Sequence, residues 1–303
     1  MSRQADIAAQ SGATIIDGRA LARDMREVLR QRAAGLQERF GIKPGLAVIL
    51  VGKDPASGVY VANKIRACDQ VGIHSRTIRL ETTVSTHELL ELIRALNVDT
   101  SIHGILVQLP LPGHIDMPAV LDAIDVNKDV DGFHLYNIGG LVTGGTVFSP
   151  CTPFGVLKLL EYAKIPIEGQ NVVVVGASNI VGKPTALMLM ARDATVSICH
   201  AKTRDLAQFT ILADILVVAA GVPHLIVPQM VKRGAVVIDV GINRMPDGSI
   251  MGDVEFDGVA QKASFITPVP GGVGPMTVTM LLSNTVDGAE AFCNAADSTS
   301  ISL

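Results

Sequence analysis

Four consecutive valines, Val172–Val175, are followed by a glycine-rich turn and then by Pro184. A run of β-branched residues is typical of a strand that is buried on both faces, as in a parallel sheet. Proline is tolerated in the first turn of a helix, so the segment predicts a strand, a turn with Gly176, Ser178 and Gly182, and a helix N-terminus. Such a turn presents backbone N–H groups and a positive helix end to a phosphate. The spacing is G-x-S-x-x-x-G and not G-x-G-x-x-G, so a purely structural turn is the alternative.

Strand-like and helix-like segments alternate along the chain, and the pattern restarts after Pro150. In the first half, buried strands are predicted at Gly45–Val51 and Ile102–Leu109. Residues 137–149 contain four glycines and almost no periodicity, so they are predicted to link two halves. Alternation at this spacing implies right-handed β-α-β crossovers, and ligands of such sheets bind beyond the carboxyl ends of the strands. We therefore predict two α/β domains with an interdomain cleft, the second domain being a Rossmann-like doubly wound parallel sheet.

Composition restricts the partners and the compartment. The net charge is −4 without a basic block, so nucleic-acid binding has no electrostatic support. The longest apolar stretch, Ile215–Val222, is far shorter than the roughly 18 residues that span a bilayer. Met1–Gly12 is polar and is predicted to be a tail instead of a targeting signal. The four cysteines form no C-x-x-C motif and the seven histidines no H-x-x-x-H motif, which favours a cytoplasmic protein without disulfides or a metal site.

The end of the second strand in the second half indicates which coenzyme is bound. A domain that prefers NAD usually has an acidic residue there, which holds the ribose 2′-hydroxyl. Here His200, Lys202 and Arg204 follow the strand, and no carboxylate appears before Asp205. Such cations would neutralise a 2′-phosphate, so NADP is the predicted coenzyme. An exposed basic turn that caps a helix is the alternative.

Tyr60 and Lys64 are four residues apart in a predicted helix, and hence on one face. The functional interpretation is a lysine whose charge is shifted by burial, so that it exchanges protons near neutral pH while Tyr60 positions it. The alternative is an exposed amphipathic helix. Short-chain dehydrogenases also contain a Tyr-x-x-x-Lys pair, but there the glycine-rich turn precedes the pair, whereas here it follows more than a hundred residues later.

Two further polar residues of the first half are candidates. Gln108 ends an apolar strand, where its amide either finds partners in the core or faces a cleft. Asp131 lies in the segment Lys128–Gly132. A solvated loop carboxylate is its default interpretation, and a carboxylate that fixes the N–H groups of a heterocycle is the functional one.

Several segments together resemble the bifunctional methylenetetrahydrofolate dehydrogenase/cyclohydrolase family over nearly the whole chain. The matching segments are Tyr60-x-x-x-Lys64, Gly104–Pro112, Lys128–Gly132, Cys151–Pro153, Gly176–Pro184 and Pro268–Thr277. The resemblance implies NADP-linked oxidation of 5,10-methylenetetrahydrofolate to the 5,10-methenyl cation, and hydrolysis of that cation to 10-formyltetrahydrofolate. Two nitrogens flank the carbon that loses hydride and stabilise the cation, so the enzyme mainly needs orientation and one acid–base lysine.

The resemblance also implies a role for each matching residue. Lys64 would transfer the proton for hydrolysis, Gln108 would tune and position it, Tyr60 would pack along the folate, and Asp131 would hold the pterin. The other implied folate contacts are Leu109, Pro270 and Gly272. The implied coenzyme contacts are Thr152, Gly176, Ala177, Ser178, Ile180, His200, Lys202, Arg204, Gly221, Gly241, Ile242 and Thr277.

Domain roles and assembly follow from the same resemblance. The implied domains are residues 13–150 with 278–303 for folate and residues 151–277 for NADP. A homodimer formed through the nucleotide domain is implied as well. Many family members have arginine at the position of Ala177, where it can contact the 2′-phosphate. Others have alanine, and in this chain Lys202 or Arg204 would take that role.

Two other functions are alternatives. A monofunctional folate dehydrogenase would keep hydride transfer and have weak hydrolase activity, but the presence of both Lys64 and Gln108 argues against it. A non-catalytic NADP-binding sensor has no need for an apolar strand that ends in glutamine beside a Tyr–Lys helix.

Overall fold

The structure is a computed structural model of the chain. It describes residues 4, 12–52 and 55–300, apart from the side chains of residues 55–60, 296 and 298–300. Most of the predicted tail at Met1–Gly12 therefore lies outside the described residues.

The elements alternate as the sequence predicts. The strands are β1 Thr14–Ile15, β2 Gly45–Val51, β3 His74–Leu80, β4 Gly104–Val107, β5 Asn171–Val175, β6 Thr195–Cys199, β7 Ile215–Val218, β8 Val236–Asp239, β9 Asn243–Arg244, β10 Ile250–Met251 and β11 Phe265–Ile266. The helices are α1 Gly18–Phe40, α2 Pro55–Val71, α3 Thr86–Val98, α4 Met117–Asp122, α5 Leu135–Thr143, α6 Cys151–Tyr162, α7 Gly182–Met190, α8 Ala207–Thr210, α9 Phe256–Ala260 and α10 Val273–Ser300. Within the described residues, none of these helices is both long and apolar enough to cross a membrane.

The chain divides into two compact units, which we call the six-strand unit and the three-strand unit. The six-strand unit comprises residues 1–22 and 152–277, and the three-strand unit comprises residues 23–151 and 278–303. The larger sheet has the order β1-β11-β8-β7-β5-β6 with parallel neighbours throughout. Its central strands are nearly continuous apolar runs because both faces are buried, as in other doubly wound sheets. The two-domain α/β prediction is confirmed.

Strand β1 corrects the predicted domain limits. The prediction grouped residues 13–22 with the first half of the chain. Instead Thr14 pairs with Phe265 and Ile15 with Ile266, so β1 extends the six-stranded sheet beside β11. Its backbone is satisfied there, since the Thr14 N–H donates to the Ser264 oxygen at 2.8 Å. A two-residue strand has no periodicity from which its sheet could be inferred.

The three-strand unit is built on a small parallel sheet with the order β3-β2-β4. Strand β2 is buried along its whole length, and Ile49 packs with Ile105 and with Leu89 and Ile93 of α3. The part of α10 that follows Thr277 belongs to this unit. There Arg32 of α1 binds both Asp287 and Glu290 at 2.6 Å.

Helix α5 replaces part of the predicted linker at residues 137–149. His134 caps it, because its Nδ1 accepts from the Tyr136 N–H at 3.0 Å, and Gly144 ends it with φ +84°. Asn137 is fully buried, and its side-chain oxygen accepts from the Phe148 N–H at 3.1 Å. Exposed Leu135 and Tyr136 break the amphipathic pattern that sequence analysis requires, so the helix was missed.

Candidate active site

Lys64 is held against Gln108 inside the three-strand unit. Lys64 lies in α2 and is only 9% exposed, and its Nζ donates to Oε1 of Gln108 at 3.0 Å. Gln108 directly follows β4, where its N–H donates to the Ile49 oxygen at 2.9 Å. Its amide nitrogen donates to the Leu109 oxygen at 2.8 Å, so the amide oxygen is turned toward Lys64. A nearly buried amine is thereby fixed at the carboxyl end of a parallel strand.

Asp131 and Cys151 add to the polar surroundings of Lys64. Asp131 is half-buried, and desolvation raises the pKa of its carboxyl, although the charge of Lys64 and the adjacent Cys151 side chain oppose this rise. The Cys151 thiol is buried among these groups, and desolvation together with Asp131 raises its pKa well above the usual value. It therefore stays protonated and donates to the Val130 oxygen at 3.2 Å. Cys151 was predicted only as part of a motif, because its contact with Asp131 depends on the tertiary structure.

Asp129 supports the turn that carries Asp131. It is 1% exposed and accepts from the His134 N–H and from Nδ2 of Asn137, each at 2.8 Å. Burial raises the pKa of Asp129 to about 6. Asp129 accepts all of these hydrogen bonds from the local backbone and from α5, so its role is structural.

The other predicted folate residues are placed less fully. The backbone of Tyr60 lies in α2 one turn before Lys64, but its side chain is outside the described residues. Leu109 is half-buried. Pro270 and Gly272 belong to the six-strand unit, where Pro270 is exposed and Gly272 is buried. Their contact with folate stays a prediction.

The turn between β5 and α7 requires glycine at two positions. Gly176 has φ +123°, and a Cβ there would lie 2.1 Å from the Ala219 oxygen. A Cβ on Gly182 would lie 1.9 Å from the Gly176 oxygen. The backbone can take this close path only without side chains. Oγ of Ser178 accepts from the Val181 N–H at 3.1 Å and from the Gly182 N–H at 3.3 Å, so it caps the N-terminus of α7. Ala177 and Ile180 lie partly exposed in the same turn.

The predicted basic turn follows β6, an edge strand of the six-stranded sheet. His200, Lys202 and Arg204 are exposed there. The turn is ordered, because Nδ1 of His200 accepts from the Lys202 N–H at 3.1 Å and Oγ1 of Thr203 accepts from the His200 N–H at 2.9 Å. In the part of the chain that the structure describes, neither Lys202 nor Arg204 has an ion-pair partner. Their charges are accordingly free for an anion.

The sheet brings most of the predicted coenzyme residues to one edge. Strands β6, β5, β7 and β8 are neighbours, and their carboxyl ends lead into His200, Gly176, Gly221 and Gly241. Ile242 follows with 44% of its surface exposed. Elsewhere in the unit, the hydroxyls of Thr152 and Thr277 lie 3.0 Å apart. A glycine cradle beside an unpaired basic turn fits a dinucleotide with a 2′-phosphate.

Two buried carboxylates near this edge were missed by sequence analysis. Asp239 is 4% exposed and Asp253 is completely buried. Burial raises the pKa of Asp239 to about 7. Asp239 could have been found from the sequence, because it is an acid inside the apolar run Ala235–Val240. Nothing in the sequence around Asp253 sets that residue apart.

This fold and site define the class of α/β dehydrogenases that bind a nicotinamide coenzyme, here with a lysine–amide pair in a second unit. Comparison with known families narrows the class. Residues 16–131 match the model of the tetrahydrofolate dehydrogenase/cyclohydrolase catalytic domain, and residues 150–293 match the NAD(P)-binding domain of the same family. The chain belongs to the tetrahydrofolate dehydrogenase/cyclohydrolase family.

Individual relatives agree with this membership. The bifunctional protein FolD of Nitrosospira multiformis is 58% identical over 278 residues, covering 92% of this chain and 96% of that protein. The crystal structure of bifunctional FolD from Campylobacter jejuni has a TM-score of 0.91 and 52% identity, over 92% of this chain and 99% of that one. The Trypanosoma brucei enzyme, solved with NADP cofactor and inhibitor, has a TM-score of 0.89 and 39% identity, over 92% and 98%. The predicted family is confirmed, with a tetrahydrofolate dehydrogenase/cyclohydrolase catalytic domain and an NAD(P)-binding domain.

Proposed function

We propose that the chain oxidises 5,10-methylenetetrahydrofolate with NADP and hydrolyses the methenyl product to 10-formyltetrahydrofolate, with Lys64 as the proton-transfer group. The observation that carries the assignment of Lys64 is its 3.0 Å hydrogen bond to Oε1 of Gln108 in a nearly buried setting. Because one N–H of the amine donates to an amide oxygen, the amine keeps a defined orientation toward a reacting water.

Hydrolysis requires three proton movements, and the Lys64–Gln108 pair suits the first of them. Water adds to the methenyl carbon and gives up one proton, which Nζ of Lys64 accepts. The remaining hydroxyl proton leaves as the carbonyl forms, and the ring nitrogen takes up a proton as its bond to that carbon breaks. Gln108 accepts from Nζ and donates to its own backbone neighbour, so it orients the lysine and exchanges no proton itself.

Asp131 is the proposed anchor of the pterin. Its carboxyl lies near the Lys64 side chain and near the Cys151 thiol, at the same end of the three-strand unit. A carboxylate accepts two hydrogen bonds from adjacent N–H groups of a heterocycle, which fixes the ring in one orientation. Tyr60, one helical turn before Lys64, is the proposed packing surface for the folate.

The six-strand unit is the proposed coenzyme site. Gly176 and Ser178 would contact the phosphates of NADP beside the positive N-terminus of α7, and Lys202 or Arg204 would hold the 2′-phosphate. NADP supplies the hydride acceptor when bound. The protein contributes a turn whose backbone can come close to the phosphates at Gly176 and Gly182. The steric requirement for glycine at both positions supports this role.

We also propose a homodimer formed through the six-strand unit. Strand β6 is an edge of the large sheet, and Ile198 on it is 43% exposed. An edge strand presents unpaired backbone N–H and C=O groups, which a strand of another chain can pair. Light scattering coupled to gel filtration should give twice the chain mass for the native protein and one chain mass for Ile198→Lys. A native monomer would rule out the dimer.

A spectrophotometric assay of the purified chain tests the function. With methylenetetrahydrofolate and NADP we expect the reduced-nicotinamide band to grow, faster than with NAD. With the methenyl compound alone we expect its absorbance to fall without any coenzyme. Coenzyme binding with neither change would favour the non-catalytic sensor, and oxidation without hydrolysis would favour the monofunctional dehydrogenase.

A further inference from the structure

The two buried carboxylates of the six-strand unit, Asp239 and Asp253, are engaged by amide N–H groups. Asp253 is fully buried, and a buried carboxylate is costly unless several donors satisfy it. Oδ2 of Asp253 accepts from the Ala220 N–H at 2.7 Å and from the Gly221 N–H at 2.8 Å. Its Oδ1 accepts from Nδ2 of Asn243 at 2.7 Å. One side chain therefore joins the segment after β7 to the segment after β8.

Asp239 holds Asp253 in place from the end of β8. Oδ1 of Asp239 accepts from the Gly241 N–H at 2.9 Å and from the Asp253 N–H at 3.0 Å. Its Oδ2 accepts from the Val254 N–H at 3.0 Å. The β8 terminus is thereby attached to the backbone on either side of the Asp253 side chain.

Glycine is required where these carboxylates touch the backbone. A Cβ on Gly241 would lie 2.3 Å from Oδ1 of Asp253, and a Cβ on Gly252 would lie 1.9 Å from Oδ2 of Asp239. Both acids are in direct contact with main chain, so any change in their position moves the strand-end segments. The three donors that converge on Asp253 also require an acceptor-only group, because an amide side chain would turn one N–H toward another.

We propose that Asp253 is a positioning residue of the coenzyme site, which fixes the segments after β7 and β8 that carry Gly221, Gly241 and Ile242. The inference rests on the proposed function, in which these segments contact NADP. Charge-assisted bonds to two adjacent amides set the peptide orientation at Ala220 and Gly221. The hydrogen bond from the Asn243 side chain holds the segment after β8 in position.

Coenzyme affinity in Asp253→Asn tests this role. The asparagine keeps the shape but turns an N–H toward backbone N–H groups at one side. We expect Kd for NADP, measured by calorimetric titration without folate, to rise by about tenfold or more, the equivalent of ~1.4 kcal/mol. Asp247→Asn, an exposed acid in the same unit, is the matched control, and its Kd should stay that of the native chain. Hydrolysis of the methenyl compound in the same samples reports the folded fraction.

Asn243→Ala keeps the test decisive if Asp253→Asn fails to fold. It removes one donor from the same carboxylate at a half-buried site, and Kd should rise by about threefold or more. Unchanged Kd in a folded Asp253→Asn overturns the inference. So does loss of folding in Asp253→Asn combined with unchanged Kd in Asn243→Ala, which would make the role purely structural. A native chain that binds no NADP would instead refute the proposed function.

Discussion

The two units use their buried polar groups for different purposes. In the three-strand unit, Lys64 has one hydrogen bond to Gln108 and a carboxyl nearby, which leaves an amine with donors to spare. In the six-strand unit, Asp239 and Asp253 each accept three hydrogen bonds from amide groups. A group that exchanges protons needs unused capacity, whereas a group that shapes backbone needs to be saturated.

The comparison predicts different sensitivities to substitution. The three-strand unit should lose activity when a functional side chain is removed and its surroundings are kept. The six-strand unit should lose coenzyme affinity when the backbone is displaced, even where no side chain is removed. Four predictions test this difference: three on activity or coenzyme use, in order of expected effect, and one on stability.

Lys64→Met should have the largest effect. Removing the amine while keeping the chain length should slow hydrolysis of the methenyl compound by about 10²–10⁴-fold, the usual contribution of a general acid–base group. The absorbance decay of the methenyl group measures it. Lys43→Met, at an exposed position of the same unit, is the control and should hydrolyse at the native rate. Equal rates in both variants would remove Lys64 from the mechanism.

Gly182→Ala should be next. The added methyl would lie 1.9 Å from the Gly176 oxygen, so the turn must open. We expect NADP affinity to fall by at least about tenfold, ~1.4 kcal/mol, in a coenzyme titration. Gly139→Ala, in α5 with no atom within 4 Å of the added carbon, should leave affinity unchanged. Native affinity in Gly182→Ala would show that the turn does not hold the coenzyme.

The basic turn should affect coenzyme choice more than activity. Replacing both Lys202 and Arg204 by alanine removes two exposed cations from the end of β6. The ratio of kcat/KM for NADP to that for NAD should fall by about tenfold, since a solvent-exposed phosphate contact contributes on the order of 1 kcal/mol. The rate with NAD should stay near the native value. An unchanged ratio would contradict the assignment of the 2′-phosphate to this turn.

The last prediction concerns the pH dependence of stability, which no activity assay reports. Burial raises the pKa of Asp239 to about 7 from its ordinary 3.8, so the folded chain binds this proton more tightly than the unfolded chain does. The free energy of unfolding should therefore fall as pH rises from about 4 to about 7, and Asp239 should add no further slope above that. When denaturation midpoints are plotted against pH over this range, the slope should be smaller in Asp239→Asn than in the native chain. An equal slope in both proteins would place the titration elsewhere.

Sequence periodicity predicted the architecture because buried parallel strands are apolar runs of known length. It did not show that β1 pairs with β11, because a two-residue strand carries no signal for its sheet, and it missed α5, where exposed Leu135 breaks the helical pattern. The glycine turn, Lys64 and Gln108 were each predictable because their residue types are unusual in their positions, whereas the pairing of Lys64 with Gln108 was implied only by the family resemblance. The Asp239–Asp253 network was not, since a carboxylate bound by backbone amides is defined only by segments that folding brings together.

The central claim is that hydrolysis depends on Lys64 and coenzyme binding on the strand-end backbone. The most direct measurement assays the hydrolysis rate and the NADP Kd side by side in Lys64→Met and Asp253→Asn. The account predicts that Lys64→Met loses hydrolysis and keeps native Kd, while Asp253→Asn keeps hydrolysis per folded molecule and loses affinity. If both variants lose both properties together, or if Lys64→Met still hydrolyses the methenyl compound, the division between the two units is contradicted.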